Sequence, residues 1–142
     1  MRVYLDGTLE GEGTFNGNPL SMAAARVVLG EILTPDVYPR FDELDAVLSG
    51  GIADAIEARG VPAVVSSVRD RGSVHFRQET PTNFREAADM DDRLQYLAWM
   101  FQLNGGVLMP AGDPWTFGVA HTEADLGRAV ENFEAFATAV TS

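Results

Sequence analysis

The residues of this 142-residue chain that could do chemistry are few and unevenly spread. Near the start, Gly13-Thr14 precedes Asn16-Gly17-Asn18-Pro19, a loop feeding a helix start, because Asn is a good N-cap and Pro suits the first helical turn. A backbone N–H beside glycine and a threonine hydroxyl are good phosphate donors at such a place. The plainer alternative makes Thr14 a turn residue and Asn18 a cap. His75 and His121 could serve as bases or ligands. They lie far apart in sequence with no carboxylate partner beside them, and His121 reads most simply as the residue before an N-cap. Asp89, Asp91 and Asp92 could hold a hard cation, or simply favour the positive end of a helix. Arg77 and Arg85 could grip a carboxylate with two hydrogen bonds.

What is missing restricts the chemistry further. All ten basic residues are arginine, so no side chain offers an amine for Schiff-base catalysis or for a phosphate loop. The chain's one primary amine is at Met1. Cysteine is absent, which removes disulfides, thiolate nucleophiles and thiolate metal sites. A formal net charge of -11 repels phosphate backbones and anionic bilayers, so nucleic acid and membrane are not expected partners. No run reaches the roughly 18 apolar residues needed to span a bilayer, and Met1 to Gly7 lacks an apolar signal core, so a cytoplasmic location is expected.

The elements that must position these groups follow from periodicity. With 46% apolar and 22% charged residues, the chain has the make-up of one globular domain. Residues 2–18 read as an extended arm, with a brief alternating run at Val3-Tyr4-Leu5, leading into a loop. Leu20, Ala23, Ala24, Val27, Val28 and Ile32 predict a helix over 19–33, and Phe41, Leu44, Leu48, Ile52 and Ile56 a second one ending at Gly60. Val61–Val68 and Ser73–Arg77 predict a hairpin around Asp70-Arg71-Gly72. Residues 78–87 read as a polar connection. Leu94, Leu97, Ala98 and Phe101 predict a third helix ending near Gly105, with Trp99, Met100 and Phe101 most simply in the core. Val107–Met109 and Trp115–Ala120 predict two more strands, and Thr122 with Asp125 marks the start of a last helix. Such an order packs as an α/β chain of the α+β kind, a two-layer sandwich with helices on one face of a small, mostly antiparallel sheet. The first helix is apolar around most of its circumference, which points to a neighbour that covers it.

Four stretches, in order along the chain, carry a family resemblance. Gly13-Thr14-Phe15-Asn16-Gly17-Asn18-Pro19, continuing to Ala23-Ala24, resembles the Gly-Thr-x-x-Gly-Asn-Pro-x-x-x-Ala-Ala stretch of class III pyridoxal-phosphate-dependent aminotransferases, most closely the glutamate-1-semialdehyde aminomutase branch. Gly72-Ser73-Val74-His75-Phe76 is similar to the branch's Gly-Ser-x-x-Phe strand, Gly106 to Pro110 to its Gly-Val-x-x-x-Pro strand, and Ala120-His121-Thr122 through Asp125-Leu126 to the start of its terminal helix. The resemblance covers essentially this whole chain and about the last third of a family member. It implies the small C-terminal domain of a fold-type I transferase, with residues 1–18 as arm and cofactor-phosphate loop and 19–142 as the domain body. It implies that Gly13 and Thr14 bind the phosphate of pyridoxal 5'-phosphate held by a neighbouring subunit, with no catalytic residue and no metal ligand in the chain itself. The family's lysine and the aspartate facing the cofactor ring nitrogen match no position here. The chain alone is therefore expected to be inactive, and to work as a homo-oligomer or with a lysine-bearing large domain on an amino acid or amino aldehyde. In the loop before Ala120, where the branch carries an acid over the substrate, this sequence has Gly112-Asp113-Pro114-Trp115, in which only Asp113 could stand in. The alternative is a non-catalytic interaction module with the same small-domain fold.

Overall fold

Residues 13–111 and 114–142 are described by a computed structural model; the expected Val3–Leu5 strand and Asp113 lie outside these residues. The chain divides after Val37 into two compact units. In the first, α1 spans Pro19–Val27. Its start is set as the sequence predicts, with the Asn18 side chain accepting from the Ser21 N–H at 3.0 Å and Pro19 in the first turn. The predicted helix to residue 33 is not uniform, because Val28–Ile32 widens into a π turn closed by Leu33 N–H to the Val28 carbonyl at 2.8 Å. The Thr34-Pro35 pair that follows disfavours helical backbone at Thr34, and Pro35–Val37 continues as a single 3-10 turn. None of these helical residues is buried.

The second unit is built around α2, Tyr38–Arg59, whose buried Phe41, Leu44, Leu48, Ile52 and Ala55 keep the three-and-four spacing of one helical face. It ends where the sequence indicates. Gly60 adopts φ +65°, Gly60 N–H reaches the Glu57 carbonyl and Val61 N–H the Ile56 carbonyl, the paired bonds of a Schellman cap. The last helix, labelled α5, spans Glu123–Val140 and opens with a reciprocal capping box between Thr122 and Asp125. The helices α2 and α5 pack on each other. Gly51 makes the approach possible, since a Cβ there would stand 2.7 Å from Val130 Cγ1. Phe136, fully buried on α5, anchors the core, with ring centroids 5.3 Å from Phe133, 5.6 Å from Phe76 and 6.0 Å from Phe101.

The sheet has three strands in the order β1 (Val64–Val68), β2 (Arg71–His75) and β3 (Trp115–Thr116), all antiparallel. The hairpin turn is Arg69-Asp70, two residues with Arg69 at φ +56°, so β2 starts earlier than predicted. Gly72 lies inside the strand rather than in the turn, and the Trp115 indole occupies the space where its Cβ would stand. Val107–Met109 is not a strand. Its backbone is used by the helix before it, because Val107 N–H closes onto the Gln102 carbonyl at 2.8 Å and the Met109 carbonyl accepts from Trp99 Nε1 at 2.8 Å. The predicted strand to Ala120 stops after two residues, since Gly118 N–H turns to His121 Nδ1 at 3.0 Å. The predicted polar connection contains a short helix, α3 (Phe84–Ala88), capped by Asn83.

Next comes α4, Asp92–Asn104, capped by Asp91. Its buried residue is not one of the predicted apolar set but Gln102, whose Nε2 donates to the Ala129 carbonyl at 2.8 Å. Trp99, Met100 and Phe101 are half-buried. The expected two-layer arrangement of helices against a small antiparallel sheet stands. Ser67 Oγ ties one sheet face to Asp45 of α2 at 2.8 Å.

Candidate functional site

Gly13 and Thr14 lie in an exposed turn leading into α1, which the Asn16 N–H closes onto the Gly13 carbonyl at 3.0 Å. A second bond, Asn18 N–H to the Phe15 carbonyl at 3.3 Å, brings the chain to its N-cap. A Cβ on residue 13 would stand 3.0 Å from the Asn16 side-chain amide, so the turn sits tightly over a residue that has none. The Thr14 hydroxyl and N–H face no acceptor among the described residues, and the positive end of the α1 dipole follows four residues on. These are donors for an oxyanion. They fit the phosphate of a cofactor and not its aldehyde, since the chain has no lysine.

The other candidates separate. His75 is buried on β2, with Nε2 2.8 Å from Ser66 Oγ and Nδ1 buried without a partner among the described residues. Burial first, and then the Arg77 charge, hold its imidazolium below the usual histidine range. His121 is exposed and accepts the Gly118 N–H. It lines a cavity of about 360 Å³ with Arg128, whereas His75 lines a different one of about 580 Å³. Asp91 caps α4, Asp92 stands in its first turn and Asp89 ends α3. Arg77 Nη1 donates to the Glu86 carbonyl, and Arg85 is exposed.

Sequence reasoning missed the polar surface around His75. Ser66, Ser73 and Arg71 line the same cavity as His75. The signal was present as period-two alternation along β2, which puts Arg71, Ser73 and His75 on one face. It was hidden by placing the strand two residues late.

No family model matches the chain. Individual relatives do. The chain is 32% identical over 134 residues to a glutamate-1-semialdehyde 2,1-aminomutase of Brevibacillus brevis, covering 92% of this chain and 31% of that protein. It is 36% identical over 131 residues to the enzyme of that name from Desulforamulus reducens, covering 89% and 30%. Among solved structures, a glutamate-1-semialdehyde aminomutase from Pseudomonas aeruginosa PAO1 in complex with PMP superposes with a TM-score of 0.78 at 25% identity, over 88% of this chain and 28% of that one. The chain thus spans about three tenths of the length of the relatives it matches. The order of its elements, the antiparallel sheet with its helices and these matches agree: over nine tenths of its length the chain is homologous to part of the glutamate-1-semialdehyde aminomutases, of the class III pyridoxal-phosphate-dependent aminotransferase family, and has the fold of that family's small C-terminal domain.

Proposed function

We propose that this chain serves as the small-domain portion of a class III amino-transfer enzyme of the aminomutase kind and does not transfer amino groups by itself. The observation that carries the reading is a match along nine tenths of the chain in a sequence without a single lysine. Bound pyridoxal 5'-phosphate would supply the electron sink for the carbon whose amino group moves. Toward its phosphate the chain brings the Thr14 hydroxyl and the N–H groups beside Gly13, exposed ahead of α1. In this reading residues 1–18 form the arm and phosphate loop and 19–142 the domain body. The phosphate belongs to a cofactor on a neighbouring subunit of a homo-oligomer, and the lysine belongs to a large domain. The substrate is an amino acid or amino aldehyde, and the setting is the cytoplasm.

The test is a pyridoxal-phosphate titration of the purified chain followed by borohydride reduction and peptide mass mapping, alone and with a lysine-bearing class III large domain. Expected are no adduct, or one at the Met1 amine, for the chain alone, and cofactor trapped on the partner's lysine in the mixture. Retention should fall about tenfold with Thr14→Val, the loss of one charge-assisted hydrogen bond. Turnover by the chain alone would overturn the reading.

A second reading is favoured by one observation. Neither α1 nor the π turn that continues it buries a residue, and Leu20 and Leu29 are 81% and 71% exposed. A non-catalytic module that self-associates through this face would explain it. Light scattering on dilution decides, because a monomer that stays folded at low concentration removes self-association.

A further inference from the structure

The pairing register of the hairpin sets Val64 opposite His75, Ser66 opposite Ser73 and Val68 opposite Arg71. These six share one face of the sheet, since cross-strand partners project to the same side. The other face, with Ser67 and Gly72, meets Asp45 of α2 and the Trp115 indole. The first face and α3 flank an open cleft of about 580 Å³, whose apolar side includes the exposed Phe84 with Ala87 and Met90. That volume falls in the range of small-molecule pockets.

The polar floor has a definite chemistry. Among the described residues no carboxylate lines it, although the chain has 21 acidic residues. Ser66 and neutral His75 bring two polar hydrogens to one shared bond, so one is always left over. It is the buried Nδ1–H if Ser66 donates and the Ser66 O–H if Nε2 donates. Among the described residues, Ser73 Oγ makes no hydrogen bond and Arg71 no ion pair, whereas Arg40 pairs with Glu43 and Glu123, and Arg69 with Asp42. Arg71 stands about 7 Å along the strand from Ser73, within the length of its own side chain. A floor of surplus donors under an apolar wall suits a ligand with an anionic head and an apolar body.

We infer that this cleft binds a small organic acid, with its carboxylate over the Ser66–Ser73 pair within reach of Arg71 and its apolar body against Phe84, Ala87 and Met90. His75 positions Ser66 there. The inference is independent of the role given to Gly13 and Thr14.

The test is a ¹⁵N-resolved NMR titration of the chain with hexanoate and, as its neutral isostere, hexan-1-ol. Hexanoate should shift amides of residues 66–75 and 84–90 saturably, and hexan-1-ol should bind at least about tenfold more weakly. Arg71→Gln, at an exposed position, should weaken hexanoate by about tenfold or more while leaving the far-UV spectrum and hexan-1-ol binding unchanged. Ser73→Ala should weaken it by a smaller factor. Absence of a saturable shift, equal binding of the alcohol, an unchanged Arg71→Gln variant, or shifts centred on other elements would each overturn the inference. So would loss of hexanoate binding, with protection of the cleft amides, when a class III large domain is added, because the cleft would then seat polypeptide.

Discussion

Two adjacent glycines in the middle of α2 should respond to alanine with opposite signs. Replacing a glycine inside a helix by alanine gains about 1 kcal/mol of helix propensity. At Gly50 nothing lies within 4 Å of the added methyl, so Gly50→Ala should stabilise the fold by about 0.5–1 kcal/mol. At Gly51 the methyl would meet Val130 Cγ1 at 2.7 Å and Cγ2 at 2.8 Å. Val130 is β-branched and sits on a rigid helix, so it has no alternative rotamer that clears both contacts. Overpacking of this kind costs about 1–3 kcal/mol, which cancels or exceeds the propensity gain and leaves Gly51→Ala destabilising by up to about 2 kcal/mol. Val130→Ala removes the obstruction, so the Gly51→Ala, Val130→Ala double mutant should show a favourable coupling of about 1 kcal/mol or more. Urea unfolding followed by far-UV circular dichroism reads the parent chain and all four variants. Equal stabilisation by both single alanines, or a coupling near zero, would refute the close α2–α5 contact on which the reasoning rests.

Other expectations follow from single groups. Thr122→Ala removes half of the α5 capping box and should cost about 1 kcal/mol in the same urea assay. Hydrogen bonds from the Thr122 hydroxyl and N–H hold the Asp125 carboxyl below its ordinary range. Its contribution is therefore present above the unfolded carboxyl value and lost as pH falls through the folded one, and a melting curve of Asp125→Asn should lack that acid-side decline. His75 titrates below the usual histidine range, so the unfolded chain binds a proton there before the folded one does. Stability contributed by neutral His75 should fall as pH drops below about 6.5, a slope that His75→Gln removes. An NMR titration of the His75 ring with a midpoint above the ordinary value would contradict this.

The parts of the fold that were legible in sequence are those fixed by local rules. Asn18-Pro19, Gly60, and Thr122 with Asp125 mark helix ends because capping is decided within a few residues. On α2, Phe41, Leu44, Leu48 and Ile52 follow from spacing alone, but the face is completed by Ala55 and not by the expected Ile56, which is half-buried. What failed depended on distant partners. Val107–Met109 has the composition of a strand, but its carbonyl and N–H groups bond back to α4, and no local pattern reveals a competitor for a hydrogen bond. Gln102 lies outside the apolar set that predicts α4, and nothing local marks its burial because its acceptor, the Ala129 carbonyl, is 27 residues away. Gly72 looked like a turn glycine, and is instead the place where the Trp115 indole crosses β2. The Ser66–His75 pair was lost with the strand register, since an error in the strand's start obscures which residues share a face.

Two features of the chain that are unrelated chemically lead to one structural requirement. The absence of lysine makes cofactor chemistry depend on an amine from elsewhere. The apolar surface of α1 and the π turn that continues it, with Leu20, Met22 and Leu29 exposed, leaves side chains in water that would each contribute about 2 kcal/mol if covered. Either feature alone admits a simple account: a domain that lost its catalysis, or a sticky helix that pairs with its own copy. In the function proposed above, a large domain that brings the lysine and covers α1 would answer both. The two accounts diverge under substitution. Leu20→Glu with Leu29→Glu should leave the second unit folded, judged by its aromatic near-ultraviolet signal, and should abolish binding to a class III large domain while changing the oligomeric state of the chain alone little. A double variant that turns an oligomer into a monomer yet still binds the large domain would assign α1 to self-association instead.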